Sequence, residues 1–145
     1  MTNQVAHVND LEPGAFTCVV YRGKQAAKVG AADALSHRLF VSGWELNARL
    51  HMLVRGRHRY KDATVVIGLL YGEPITVAVY EKTVMMFCRK KYRRRGFGSK
   101  TLKTLLKHVK DGAQPVVARE GMEGSVGFWR KHKIDVIHFR GFASC

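Results

Sequence analysis

Several things are missing from this 145-residue sequence, and each absence excludes a class. No apolar run approaches the ~18–20 residues that a membrane-spanning helix needs, so no membrane partner is expected. The opening stretch MTNQVAHVNDLEPG has neither the basic start nor the apolar core of a secretory signal, which argues for the cytoplasm. Cys18, Cys88 and Cys145 lie far apart and form no C-x-x-C pair, a pattern of reduced thiols rather than disulfides. The histidines supply no metal site either. The nearest pairs, His51 with His58 and His132 with His138, match no ligand spacing and have no cysteine nearby. Repeats, linkers and low-complexity segments are also absent. One domain is therefore expected over residues 1–145, with residues 1–14 loose up to the Pro13-Gly14 turn.

Acidic residues are scarce: 11 Asp+Glu stand against 25 Lys+Arg, a formal net charge of +14. The excess is uneven. Lys82 to Lys110 holds eleven basic residues and no acidic one, and Arg55 to Lys61 forms a second block. A field of this sign draws anions and repels cationic molecules such as polyamines or aminoglycosides. RNA, DNA or a nucleic-acid-bound protein is the natural large anionic partner. The competing account is a basic surface that only confers solubility. The oligomeric state, a homodimer included, is left open.

What is present is a regular alternation of elements. Ala15–Tyr21 is β-rich and ends at Arg22-Gly23; Lys24–Val41 has a mostly helical pattern weakened by Gly30. Trp44–Val54 places Leu46, Leu50, Leu53 and Val54 on one helical face, with Asn47, Arg49 and His51 outside it. Ala63–Tyr71 and Ile75–Glu81 form a hairpin around Gly72-Glu73-Pro74, and Thr83–Arg89 is a short buried strand. Gln114–Arg119, Gly124–His132 and Lys133–Phe142 read as strand, helix and strand. The class is α/β (α+β).

The organising stretch is Lys91–Leu106, KYRRRGFGSKTLKTLL. A glycine-containing turn feeds a helix whose Leu102, Leu105, Leu106 and Val109 share one face, with Lys100, Lys103, Lys107 and Lys110 elsewhere. Gly96 and Gly98 permit close approach of the backbone to a ligand. The helix start offers unpaired N–H groups and the positive end of the helix dipole, and three arginines add charge. Strand, basic turn and helix together describe a phosphate cradle. It is neither a P-loop, which needs Gly-x-x-x-x-Gly-Lys-Ser/Thr, nor a dinucleotide fingerprint, which needs a third glycine.

Arg93-Arg94-Arg95-Gly96-Phe97-Gly98 resembles the R-x-x-G-x-G acetyl-CoA loop of the GNAT N-acetyltransferase superfamily, and Tyr92 to Leu106 is similar to its longer YR-x-x-G-x-G-x-x-L-x-x-LL pattern. Gly124 to Ile134 resembles the second motif, A-x-x-FY-x-K-x-GF, and the order of elements over residues 15–142 matches the fold. The resemblance implies a mixed central sheet of about six strands flanked by helices, with the acetyl-CoA loop between the fourth strand and the next helix. It implies that Arg93, Arg94, Arg95, Gly96, Phe97, Gly98 and Ser99 hold the CoA pyrophosphate. Met86, Phe87 and Cys88 would line the pantetheine arm, and an amine would attack the acetyl carbonyl.

Three departures bear on catalysis. Trp129 replaces the usual tyrosine acid, Met122 replaces a common asparagine, and Thr83–Arg89 carries no carboxylate to act as base. Glu120, at the end of its strand, and Ser125, at the start of the next helix, are the remaining proton-transfer candidates. The alternatives are a solvated strand-end acid and a helix cap. Cys88 reads as a small buried hydrophobe rather than a nucleophile, and Trp129 as core. The expected activity is acetyl transfer to an amine on or near an anionic acceptor. The alternative is a binding module of the same fold that has lost catalysis.

Overall fold

A computed structural model describes residues 7–40, 44–56, 63–81, 83–109, 117–119, 126–132 and 134–137. The chain forms a six-stranded sheet whose spatial order follows the sequence. Strands β1 (Phe16–Arg22), β2 (Thr64–Leu70), β3 (Glu73–Glu81) and β4 (Thr83–Cys88) are antiparallel neighbours. Strands β5 (Val117–Arg119) and β6 (Asp135–Ile137) continue the sheet in parallel. The change of direction follows from the connections. Tight turns link the first run of β2 to β4, whereas α3 (Phe97–His108) and α4 (Val126–Lys131) carry the chain across to β5 and β6. Between β4 and β5 the pairing among the described residues is Val84 with Ala118, and Met85 to Cys88 pair with Val79 to Thr76 of β3.

Between β1 and β2 the chain passes through a wide helical turn, Ala26–Ala31, then α1 (Ala32–Ser36) and α2 (Trp44–Arg55). Gly30, the residue that weakened the helical pattern, is where this segment crosses β1: a Cβ there would lie 2.9 Å from the Tyr21 ring. The glycine is a close-packing requirement, not a break. Alternation along β2 explains why both faces of the sheet are covered. Val65 and Ile67 pack with Leu46, Leu50 and Leu53 of α2, while Val66 packs with Leu102, Leu105 and Trp129 of α3 and α4.

Two expectations need correction. Arg49, placed on the polar side of α2, is a structural donor: its Nη1 bonds the carbonyls of Glu81 (2.9 Å) and Thr83 (3.0 Å), tying α2 to the β3–β4 turn. The opening residues, expected to be loose, are held from Val8 onward, because Val8 and Leu11 pack against the cluster of Phe16, Ile75, Tyr92 and Phe97. Apolar burial at that end of the sheet outweighs the turn signal at Pro13-Gly14.

Candidate functional site

The basic loop is shaped by its backbone. After a single turn at Lys90–Tyr92, Arg94 (φ 62°) and Gly96 (φ 90°) take left-handed conformations before α3 begins at Phe97. Alternating left-handed and ordinary residues turn successive N–H groups toward one side. The first bond of α3 runs from Lys100 N–H to the Gly96 carbonyl (3.1 Å). Among the described residues, the N–H groups of Arg94, Arg95, Gly96, Phe97, Gly98 and Ser99 donate no backbone hydrogen bond. N–H groups so arranged at the positive end of a helix dipole can receive an anion.

Aromatic packing fixes the cradle. Phe97 is fully buried, with its ring 4.9 Å from Phe16 and edge-on to Tyr92 at 6.1 Å. Its side chain is therefore core, and its backbone N–H is what it can offer a ligand. Deeper in α3, Thr101 donates to the Phe97 carbonyl (2.8 Å) and lies 2.7 Å from the buried Thr76 hydroxyl on β3. Since Thr101 has one hydroxyl hydrogen, Thr76 must donate to Thr101. Val8 N–H bonds the Arg95 carbonyl (3.0 Å), so the N-terminal segment braces the outer side of the loop.

The three loop arginines differ in role. Arg93 Nε donates to the Cys88 carbonyl (2.8 Å), with its guanidinium 5.5 Å from the Phe87 ring. Arg94 is exposed. Arg95 Nε is buried without a partner. Arg89, which the sequence did not single out, ties the loop to the rest of the domain through the carbonyls of Pro74 (2.9 Å) and His37 (2.8 Å).

Gly98 marks a slot. A Cβ there would lie 2.9 Å from the Met86 methyl of β4 and 3.7 Å from the Phe128 ring of α4. Met86, on the strand assigned to pantetheine, and Phe128, in the second motif, thus meet at the second glycine of the first motif. Ser99 closes the same corner, its Oγ 3.0 Å from His132 Nε2. Trp129 packs edge-on against Phe128 at 5.1 Å and is 3% exposed, with its indole N–H unpartnered.

The titrating groups separate cleanly. Burial pushes the Cys88 thiol up to about 11, and Arg93 only partly offsets this. Cys18 is also raised by burial, partly offset by its side-chain contacts with Thr104 and Thr101 and by the charge of Lys100. Both are neutral thiols at physiological pH and poor nucleophiles. His132 is lowered, first by burial and then by Lys131 and Lys103. Glu120, Ser125 and Met122 lie outside the described residues. Among the described residues no cluster of His, Cys, Asp or Glu could hold a metal ion, and no helix is long and apolar enough to cross a membrane.

No protein-family model and no curated protein matches the sequence. Solved structures do match the fold. A candidate acetyltransferase from Deinococcus radiodurans R1 superposes with a TM-score of 0.55 at 14% identity, over 87% of this chain and 86% of that one. An aminoglycoside acetyltransferase from an uncultured soil metagenomic sample, in complex with sisomicin, gives 0.51 at 11% identity, over 83% and 87%. A ribosomal-protein-alanine N-acetyltransferase from Brucella melitensis biovar Abortus 2308 gives 0.50 at 10% identity, over 85% and 92%. The chain has the fold of the GNAT acetyltransferases. Acetyl-CoA fits the residues present: the free N–H groups suit its pyrophosphate, and the orphaned Arg95 Nε lacks an acceptor.

Proposed function

We propose that the protein is an acetyl-CoA-dependent N-acetyltransferase whose acceptor is an amine on or near a nucleic-acid-associated anion. The observation that carries this reading is the run of free N–H groups from Arg94 to Ser99, opening beside the Gly98 slot. Arg93 to Ser99 hold the pyrophosphate, mostly through the backbone, and Met86, Phe87 and Cys88 flank the pantetheine. Acetyl-CoA supplies the activated acyl group. The chain must orient it, exclude water and remove a proton from the amine. Cys88 stays a neutral wall residue, and Trp129 cannot act as an acid because an indole does not give up its proton near neutral pH. Removal of the amine proton is assigned to Glu120, with Ser125 orienting a water or donating a proton to the leaving CoA thiolate.

The anionic acceptor is favoured by surface charge. Lys100, Lys103 and Lys107 line the exposed side of α3, Arg130 and Lys131 that of α4, and none has a carboxylate within 4 Å among the described residues. A cationic aminoglycoside would be repelled by this face. An aminoacyl-tRNA, a modified nucleobase or a protein bound to nucleic acid would not. A second reading, a binding module without catalysis, is favoured by Trp129 and by a β4 without carboxylates.

Thermal-shift titration with acetyl-CoA, CoA and ATP tests the cofactor. Ligand at 100 times its Kd stabilises by roughly 2.7 kcal/mol. A response to both CoA forms but not ATP supports the reading, whereas a flat response to all three removes it. Radiolabelled acetyl transfer to bulk aminoacyl-tRNA and ribosomal protein then separates enzyme from binding module.

A further inference from the structure

Ser99 and His132 form a side-chain pair of which the acyl-transfer reading uses Ser99 alone. Ser99 is the third residue of α3, one position beyond Gly98, and His132 directly follows α4. Their contact (Oγ to Nε2, 3.0 Å) ties the first turn of the cradle helix to α4 across the slot. The groups that bear on the imidazole are Lys103 of α3 and Lys131 of α4, with the Phe128 ring 4.9 Å away. Among the described residues no carboxylate lies within 4 Å of it. Burial and the two lysines hold its pKa below the ordinary value of 6.5, burial being the larger cause. An uncharged titratable ring thus sits in a positive corner, beside N–H groups that want an anion.

The hydroxyl of Ser99 has one hydrogen to give. Without an anion it can go to Nε2. A phosphate oxygen at the start of α3 claims it instead; Oγ is then left as acceptor, and Nε2 must carry a proton to keep the contact, by a tautomer change of the neutral ring or by uptake of a second proton. The incoming negative charge also offsets Lys103 and Lys131, so the doubly protonated ring becomes the better donor. We propose that His132 is the far member of the phosphate cradle: acting through Ser99, it takes up a proton from solvent when the CoA pyrophosphate binds at Arg94–Ser99. His132 is a positioning residue here, and the inference rests on the CoA reading of the loop.

The test is calorimetric titration of wild type and His132→Gln with 3′-dephospho-CoA, which lacks the phosphate monoester that itself titrates near pH ~6. Titrations run from about pH 5.5 to about pH 8, in buffers of differing ionisation enthalpy. Wild type should bind more tightly as pH falls, by about tenfold for each unit by which the anion raises the His132 pKa. Its heat should report proton uptake, and both effects should be lost in H132Q, which keeps a donor to Ser99 and binds at high pH. Equal pH dependence in the two proteins overturns the inference. Should H132Q fail to fold, imidazole NMR titration of wild type decides, since an unmoved His132 pKa on ligand binding is equally fatal. Absence of dephospho-CoA binding to wild type at every pH would instead overturn the CoA reading itself.

Discussion

Replacing Gly98 should separate stability from ligand binding, because the glycine is crowded on one side only. Its backbone is not left-handed, so an alanine is conformationally permitted, and a helical Ala is favoured over Gly by roughly 0.5–1 kcal/mol. Against this, the new Cβ would sit 2.9 Å from the Met86 methyl. That methyl is the end of a flexible chain, and pushing it off its rotamer costs about 0.5–1.5 kcal/mol. The two effects nearly cancel. Gly98→Ala should therefore shift Tm by no more than about 2–4 °C in a domain of this size. Ligand binding should not escape so lightly, since the Cβ and the displaced Met86 occupy the slot between β4 and Phe128. A tenfold or greater loss of CoA affinity is expected for alanine, about 1.4 kcal/mol or more. Leucine should abolish binding. Scanning calorimetry and CoA titration on the same samples give both quantities. A Gly98→Leu protein that folds and binds CoA like wild type would refute the assignment of this slot.

Further outcomes follow from single contacts. Thr101→Val leaves the buried Thr76 hydroxyl without its acceptor and should cost about 1–3 kcal/mol, Thr76→Val less, and the double variant less than their sum; urea unfolding of the four proteins checks this. With its thiol near 11 rather than 9.0, Cys88 should be alkylated at pH 8 about a hundredfold more slowly than an ordinary cysteine, read by peptide mass spectrometry. His132 has a depressed folded pKa, so the unfolded chain binds its proton first. The stability of the neutral ring is present above the ordinary value of 6.5 and lost as pH falls through the folded value, and acid unfolding of His132→Gln should lack that component. Replacing Lys100, Lys103 and Lys107 by alanine should lower the salt slope of RNA binding by about 2–3 if each contacts one phosphate; an unchanged slope would move the nucleic-acid surface elsewhere.

Much of the fold was legible because its elements obey simple periods. The β2–β3 hairpin, the apolar face of α3 and the strand-turn-helix order around Gly96 are local patterns, and each appears within a residue or two of its expected ends. What escaped depends on tertiary contact. Arg49 lies on the polar side of α2 by periodicity, yet reaches two carbonyls of a turn more than thirty residues away. Arg89 shows the same limit, closing the loop onto β3 and the residue after α1. His132 was visible as part of a motif but acquires meaning only from Ser99, a pairing of two helices that no single-helix pattern encodes. Glu120 and Ser125 were proposed from position in the chain alone, and their chemistry has to be measured.

The two buried side-chain atoms left without partners bear on the choice between enzyme and binding module. Among the described residues these are Arg95 Nε and Trp129 Nε1, one in each motif. An unpaired buried donor costs roughly 1–3 kcal/mol, and native interiors seldom tolerate it without a reason. Arg95 has an evident use, because it belongs to the loop whose N–H groups also lack acceptors. Trp129 is different: its neighbours are apolar, including Leu102, Leu105 and Phe128. If the chain only bound nucleic acid through its lysines, this indole could be replaced by phenylalanine at no functional loss, relief of the unpaired donor being set against the cavity left by the smaller ring. If acyl-CoA reaches this indole, the same change should weaken acetyl-CoA relative to free CoA, which has no acyl oxygen to accept the bond. Comparing the two affinities in wild type and Trp129→Phe distinguishes these cases; an unchanged ratio would favour the binding module.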